Sequence, residues 1–264
     1  MWGSSWGGGS TNGRANFYQR TNDRANFSLV AEEATTQRDA AGNGMRGAAA
    51  GDEPGGGAVA VDLDGRRARG RRTRESILHA AVDLASVEGL EGLTIGRLAT
   101  ALGMSKSGLF AHFGSKEELQ LATIEAASHI YLREVIAPAR EAEPGLPRLV
   151  ALMDHWLDYL QREVFKGGCF FDAVRNEFDS RQPSPVRDAI WADFRTWKTL
   201  VANRVRSAQA AGHLDPDADP EQVAFELDAL GGAANVRYQL DHDAVAFARA
   251  RRAIHSRLDA LTVH

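Results

Sequence analysis

The chain has a single cysteine, Cys169, in 264 residues. One thiol cannot form an intrachain disulfide or a cysteine-rich metal site, and it fits a reducing compartment. In its Gly-Gly-Cys-Phe-Phe setting it reads as a small hydrophobe, not a redox sensor. No run approaches the ~20 apolar residues that span a bilayer. The N-terminus lacks the apolar stretch of a secretory leader. The sequence therefore predicts a cytoplasmic protein with no membrane partner. Catalytic signatures are also missing: there is no H-E-x-x-H, no G-x-S-x-G and no phosphate loop. The eight histidines are scattered. Asp154, His155 and Asp158 share part of one helix but read as a polar cluster. Pro216 and Pro220 interrupt the Asp215, Asp217, Asp219 run before it completes a calcium loop. No enzyme activity, cofactor or metal is predicted.

The net charge of −4 conceals an uneven distribution. Residues 66–120 carry nine Lys/Arg against six Asp/Glu, a balance of +3, while the segments before and after come to −3 and −4. A positive segment in an acidic chain is the footprint of a polyanion-binding surface. Its densest part, Arg66 to Arg74, has six arginines in nine residues. It predicts a flexible basic arm, Arg71 and Arg72 included, that tracks phosphates or enters the minor groove and leads into a helix that buries Ile77, Ala81 and Leu84; a merely solubilising basic run is the alternative.

Beyond that helix, residues 93–113 read as two short helices around a tight turn. Ile95, Leu98, Ala99 and Leu102 recur at i, i+3, i+4, i+7. Thr94 is a suitable N-cap, Leu93 and Leu98 form a hydrophobic staple, and Gly103 supplies a left-handed stop. Ser105 caps the second helix, with Met104 and Leu109 in the same staple relation. Leu109 and Phe113 should face inward with Phe110 beside them. Lys106, Ser107, Ala111 and His112 then remain for the opposite side, where lysine and serine can address base edges and histidine a phosphate. Gly108 lets the backbone approach a groove wall. Ser115 and Glu118 match a capping box whose free N–H groups, together with Lys116, suit a phosphate. A small core helix with a solvated polar face is the bland alternative.

Residues 71–120 resemble the DNA-binding domain of the tetracycline-repressor (TetR) family. The pattern is a first helix with an Ala-Ala core, a glycine turn, T-x-x-x-[IL]-A, G-x-S-x-x-x-[LIF]-[YF]-x-H-F and an [SP]-K-E-x-L helix start. The resemblance implies an all-helical homodimeric transcriptional regulator, usually a repressor, whose C-terminal domain binds a small effector. By position, Thr94, Ser105, Lys106, Ser107, His112 and Lys116 fall where the family touches DNA. One departure is Phe110, which stands where the family often has tyrosine and so lacks a hydroxyl for phosphate.

Residues 1–65 are rich in Gly, Ala, Ser and Asn without periodicity, and predict a disordered low-complexity extension. Thr11–Phe17 returns as Thr21–Phe27, two copies too few for a solenoid. Met45 offers an alternative start. Residues 66–115 form the predicted basic arm and helix-turn-helix, and residues 116–264 a larger helical domain for effector binding and dimerisation. Within it the spacing predicts helices from Lys116 to Ile136, stopped by Pro138, and from Pro147 to Phe165, ended by Gly167-Gly168. A short piece then carries Phe170, Phe171, Val174 and Phe178, and a long helix runs from Ser184-Pro185 to Gly212. The last two helices begin near Asp219 and around Phe247. No strand-type alternation competes, so the fold class is all-α.

Two further expectations concern partners. Ala229-Leu230-Gly231-Gly232-Ala233-Ala234 is costly inside a helix, about 1 kcal/mol per glycine. Close approach of a second subunit through the last two helices would give that cost a purpose; internal packing or a helix break is the alternative. A two-fold dimer would prefer a palindromic double-stranded operator. Aromatic residues Trp156, Tyr159, Phe170, Phe178, Trp191 and Phe194 are candidates for an effector pocket taking an apolar or aromatic ligand, against plain core packing. A constitutive DNA-binding regulator or activator without an effector is the competing function.

Overall fold

A computed structural model describes residues 59–243 and 245–263, with side chains from Arg69 onward. The glycine-rich extension up to residue 58, its duplicated heptapeptide and Met45 lie outside the described residues. Helix α1 spans Val59–Glu88 and buries Ile77, Ala81, Val82 and Ala85. Its first seven residues, 59–65, fall in the predicted extension, and the basic run 66–74 lies within it. A flexible arm is therefore corrected to a continuous helix. Arginine is a good helix former, and the one glycine in the run, Gly70, costs only about 1 kcal/mol.

Helix α2 covers Ile95–Leu102 and α3 Lys106–Phe110. Each starts as its sequence dictates. Thr94 Oγ1 accepts from Arg97 N–H at 3.2 Å and Ser105 Oγ from Gly108 N–H at 3.0 Å. Gly103 adopts φ 62°, and Met104 N–H reaches back to the Ala99 carbonyl at 2.9 Å, closing α2 in a Schellman-type turn. Leu93, Leu98, Leu109, Phe113 and Leu119 are completely buried and join the α1 stripe in one small core. Phe110 departs from expectation: it is 54% exposed. In so short a helix only one narrow face meets the core. Leu109 occupies it, so its neighbour, about 100° around the axis, has no wall to pack against.

Helix α4 runs Lys116–Tyr131 from a capping box in which Ser115 Oγ accepts from Glu118 N–H and Glu118 Oε2 accepts from Gly114 N–H. It continues through a π turn at Leu132–Ile136 and a last α turn, Ala137–Ala139. Pro138 therefore does not stop the helix. The widened turn bonds Ala137 N–H to the Leu132 carbonyl, five residues back, and relieves the clash a proline ring makes in a regular helix.

Helices α5 (Leu146–Gln161), α6 (Phe170–Phe178), α7 (Pro185–Ala210), α8 (Pro220–Asp241) and α9 (Val245–Asp259) complete the body. α5 ends four residues earlier than predicted. Glu163 takes a left-handed φ of 50°, and the chain folds back so that Phe165 enters the core. The glycines that follow serve close approach instead. A Cβ on Gly167 would lie 1.9 Å from the Ser86 carbonyl oxygen of α1, and one on Gly168 2.6 Å from the Gln239 amide. α8 passes unbroken through Gly231-Gly232. Gly231 faces inward, where a Cβ would meet the Trp156 ring at 2.2 Å, whereas nothing lies within 4 Å of the same position on Gly232. Arg251 of α9 pairs with Asp154 and Asp158 of α5, and His255 joins Asp154 at 3.0 Å, so these acids form a structural ion cluster. One isolated bridge, Leu214 with Thr262, is the only β-type pairing among the described residues. None of their helices is long and apolar enough to cross a membrane.

Candidate nucleic-acid interface

Helix α3 projects from the small N-terminal core on one buried contact, Leu109, and exposes Ser105, Lys106, Ser107, Phe110 and Ala111. That face is the one a major groove would meet. The Lys106 stem crosses α2 at Gly96, where a Cβ would approach its Cε to 3.4 Å. Ser105 Oγ, besides capping the helix, lies 3.3 Å from Ser107 Oγ. Gly108 is half-buried, and its missing side chain leaves room for Ser105 Oγ, which would sit 3.0 Å from a Cβ there.

The other predicted contacts separate by environment. Arg71 and Arg72 are exposed on α1, and among the described residues no acidic partner reaches them or Lys106. Thr94 is half-buried, with its hydroxyl oxygen occupied by the Arg97 N–H. His112 is half-buried; its carbonyl accepts from the Arg74 guanidinium at 2.9 Å, and that guanidinium stacks 4.4 Å above the Phe113 ring. One arginine of the basic run thus fastens α1 to the end of α3. Lys116 is not a free cation at its helix start. Its ammonium donates to both the carbonyl and the carboxylate of Glu91, each at 2.9 Å, and this pairing is the leading cause holding the Glu91 carboxyl below its usual value.

The Gly89–Glu91 turn, between α1 and α2, is held from the C-terminal body. Glu177 of α6 accepts the N–H groups of Leu90 and Glu91, at 2.6 and 2.9 Å. Gln120 of α4 donates to the Leu90 carbonyl at 2.8 Å. Sequence reasoning missed Glu177 and Gln120, because partners 87 and 30 residues away leave no local pattern.

The residues suggested for an effector pocket fall in three places. Trp156, Tyr159 and Phe170 are buried in one ring network. Its centre is Tyr131, edge-on to Tyr159, Phe171 and Trp197 at 5.3, 5.6 and 5.6 Å, with Trp156 against Trp197 at 5.1 Å. Trp191 and Phe194 instead pair with each other at 5.5 Å on a half-exposed part of α7, and Phe178 is buried at the far end of α6 beneath Arg181. Polar groups enter the central network. Asp172 accepts from Arg175 at 3.0 Å and Asn235 at 3.1 Å, and Asp228 accepts the Trp197 indole N–H at 2.8 Å. Burial raises the Asp172 carboxyl, the Cys169 thiol and the hydroxyls of Tyr131 and Tyr159 above their ordinary values. A thiol kept protonated is a poor nucleophile, consistent with Cys169 as a core residue. Tyr131 escaped notice because it lies at the junction with the π turn, where the 3.6-residue period fails.

Comparison with known proteins agrees with this geometry. Residues 77–123 match the family model "Bacterial regulatory proteins, tetR family", and residues 145–254 match "Tetracyclin repressor-like, C-terminal domain". The two matches together span more than half of the chain. Transcriptional regulator AcuR of Cereibacter sphaeroides is 25% identical over 153 residues, covering 57% of this chain and 68% of that protein. The HTH-type transcriptional repressor NicS of Pseudomonas putida is 34% identical over 100 residues, covering 36% of this chain and 45% of NicS. Among solved structures, a TetR transcriptional regulator from Chloroflexus aurantiacus superposes with a TM-score of 0.68 at 24% identity, over 74% of this chain and 98% of its own. The names attached to these relatives are those of regulators, not enzymes. With a capped helix-turn-helix ahead of a helical body, and both parts matched by their family models, the chain belongs to the TetR family of DNA-binding transcriptional regulators.

Proposed function

We propose that the protein is a cytoplasmic repressor that binds a palindromic operator as a homodimer and is released by a small molecule lodged in the body. The observation that carries this reading is the double role of α6. At its start Phe170, Phe171 and Asp172 belong to the aromatic network, and near its end Glu177 holds the Leu90 and Glu91 N–H groups. Nine residues of helix are a rigid rod of about 13 Å. A ligand that shifts Phe171 therefore displaces the turn from which α2 and α3 are hung. α4, which joins the helix-turn-helix to the body, shares this task through Gln120 and Lys116. By reciprocity, operator DNA weakens the ligand by the same factor that the ligand weakens the operator.

On the DNA side, Lys106, Ser107 and Ser105 would read base edges, while Arg71, Arg72 and the half-buried Thr94, His112 and Gly108 line the approach to the backbone. Lys116 supports this surface by fixing Glu91. The dimer is supported by the outer face of α8. Phe225, Ala229, Gly232, Ala233, Val236 and Leu240 follow one another along it, and Phe225 and Leu240 are 62% and 78% exposed. Apolar residues at that spacing on an exposed helix suit a second copy of the same helix, and Gly232 leaves space for it.

The test is binding of the full-length protein to duplexes recovered from a random library, with and without candidate ligands. Operator affinity that falls as a ligand saturates the body supports the proposal. Ligand binding without any change in operator affinity favours the constitutive regulator instead.

A further inference from the structure

The central ring network contains more negative charge than its surroundings balance. Asp172 has one guanidinium partner, Arg175. Asp228 receives only the neutral indole N–H of Trp197, and among the described residues no cation stands within ion-pair distance of it. Asp172 follows Phe171 in the chain and Asp228 holds the Trp197 indole, and both of these rings lie edge-on to Tyr131 at 5.6 Å, so the two carboxylates converge on one region between α4, α6, α7 and α8. In that region Tyr131, Phe171, Asp172, Trp197 and Asp228 all keep accessible surface, although their neighbours Trp156, Tyr159 and Phe170 are buried.

A second, independent observation concerns Tyr159. Its side chain is 99% buried, yet its hydroxyl has no hydrogen-bond partner. The hydroxyl feels the charge of Asp172, and its ring lies edge-on to Tyr131 at 5.3 Å. Native structures rarely leave a buried hydroxyl unpaired without a reason, and a missing ligand is one. Electron-rich rings and an unneutralised carboxylate together attract a desolvated cation far better than a neutral hydrocarbon.

We propose that the effector is an organic ammonium ion, held by Tyr131, Trp197 and Phe171 through ring faces and by Asp228 through its charge. This rests on the effector-controlled reading above and adds a positive charge to the apolar or aromatic ligand expected from sequence. A protonated amine would additionally donate its N–H to the Tyr159 hydroxyl. A quaternary ammonium would use the rings and carboxylate alone.

The probes are benzyltrimethylammonium, its uncharged isostere neopentylbenzene, and protonated benzyldimethylamine, titrated into the full-length protein by the fluorescence of its tryptophans. The cations should bind at least ten-fold more tightly than the isostere. Asp228→Asn should remove that preference while leaving neopentylbenzene unaffected, with an unchanged melting curve as the folding control. Tyr159→Phe should weaken benzyldimethylamine several-fold and benzyltrimethylammonium little. Equal affinity for charged and uncharged probes, no saturable binding of either cation at millimolar concentration, or an Asp228→Asn variant that binds cations normally overturns the proposal. Operator release by neopentylbenzene alone would preserve effector control and sink the cation. Saturable cation binding without operator release would do the reverse.

Discussion

Glu177 and Leu90, 87 residues apart, meet through a 2.6 Å hydrogen bond from the Leu90 backbone N–H to the Glu177 carboxylate. The same carboxylate takes the Glu91 N–H, and Gly89, at φ 78°, leaves room for it, since a Cβ there would lie 2.9 Å from both carboxylate oxygens. Replacing Glu177 by alanine strands two backbone donors in a part-buried site, a loss of about 1–3 kcal/mol. Glu177→Ala should lower the unfolding free energy by that amount, read as a lower urea midpoint at unchanged slope. It should also shrink the effect of ligand on operator affinity more than it changes either affinity alone. Unchanged coupling would move the lever from α6 to α4.

The two adjacent glycines of α8 should respond oppositely. Gly231→Ala drives a methyl into Trp156 and should cost about 1–3 kcal/mol by overpacking. Gly232→Ala meets nothing within the chain, and helix propensity alone predicts a gain of about 1 kcal/mol for the isolated subunit. If α8 packs against its copy, that same variant should weaken the dimer. Sedimentation at several concentrations, alongside thermal melting, separates the two effects.

What the sequence revealed was what local chemistry decides. Thr94, Gly103, Ser105 and Ser115 act within four residues of themselves, and each is seen capping or ending the helix it was expected to. The pattern predicts helix stops at the glycines after Phe165, but their place is set by contact with Ser86 and Gln239, residues distant in the chain. Phe110 was placed inside by its hydrophobicity, because a pattern cannot show that a five-residue helix has only one supporting wall. The pairing of Lys116 with Glu91 and the convergence of Asp172 and Asp228 were hidden for the same reason. They depend on how helices meet.

Acid should loosen the junction between the N-terminal core and the body. Lys116 is the leading cause of the lowered Glu91 carboxyl, and Arg257 lowers Glu226 in the same way. A carboxyl whose folded value lies below its unfolded value of about 4.3 contributes stability above that pH, which is lost as pH falls through the folded value. Asp172 has the opposite sign: raised by burial, it favours the fold at low pH and opposes it as pH rises through its folded value. Carboxyl NMR titration should place the Glu91 midpoint below that of an unperturbed glutamate and the Asp172 midpoint above that of an unperturbed aspartate. Lys116→Met should move the Glu91 midpoint upward and leave Asp172 where it was.

DNA affinity should divide by residue type. Lys106→Ala is expected to cost about 1–3 kcal/mol on the specific site and to relax the preference at one base pair. Arg71→Ala and Arg72→Ala should weaken all duplexes alike, each reducing the salt slope by about 1. Lys116→Ala, whose ammonium is engaged by Glu91, should lower stability while leaving the salt slope nearly unchanged. A slope reduction equal to that of Arg71→Ala would show that Lys116 leaves Glu91 for a phosphate.

The most direct measurement is enrichment of the full-length protein's preferred duplexes from a random library, followed by stoichiometry on the winner. The account predicts an inverted repeat whose half-sites present successive major grooves, bound by two chains through α3, with Lys106→Ala losing the enriched base preference. Recovery of sequences indistinguishable from the starting pool, or of a site whose preference survives Lys106→Ala and Ser107→Ala together, would contradict it.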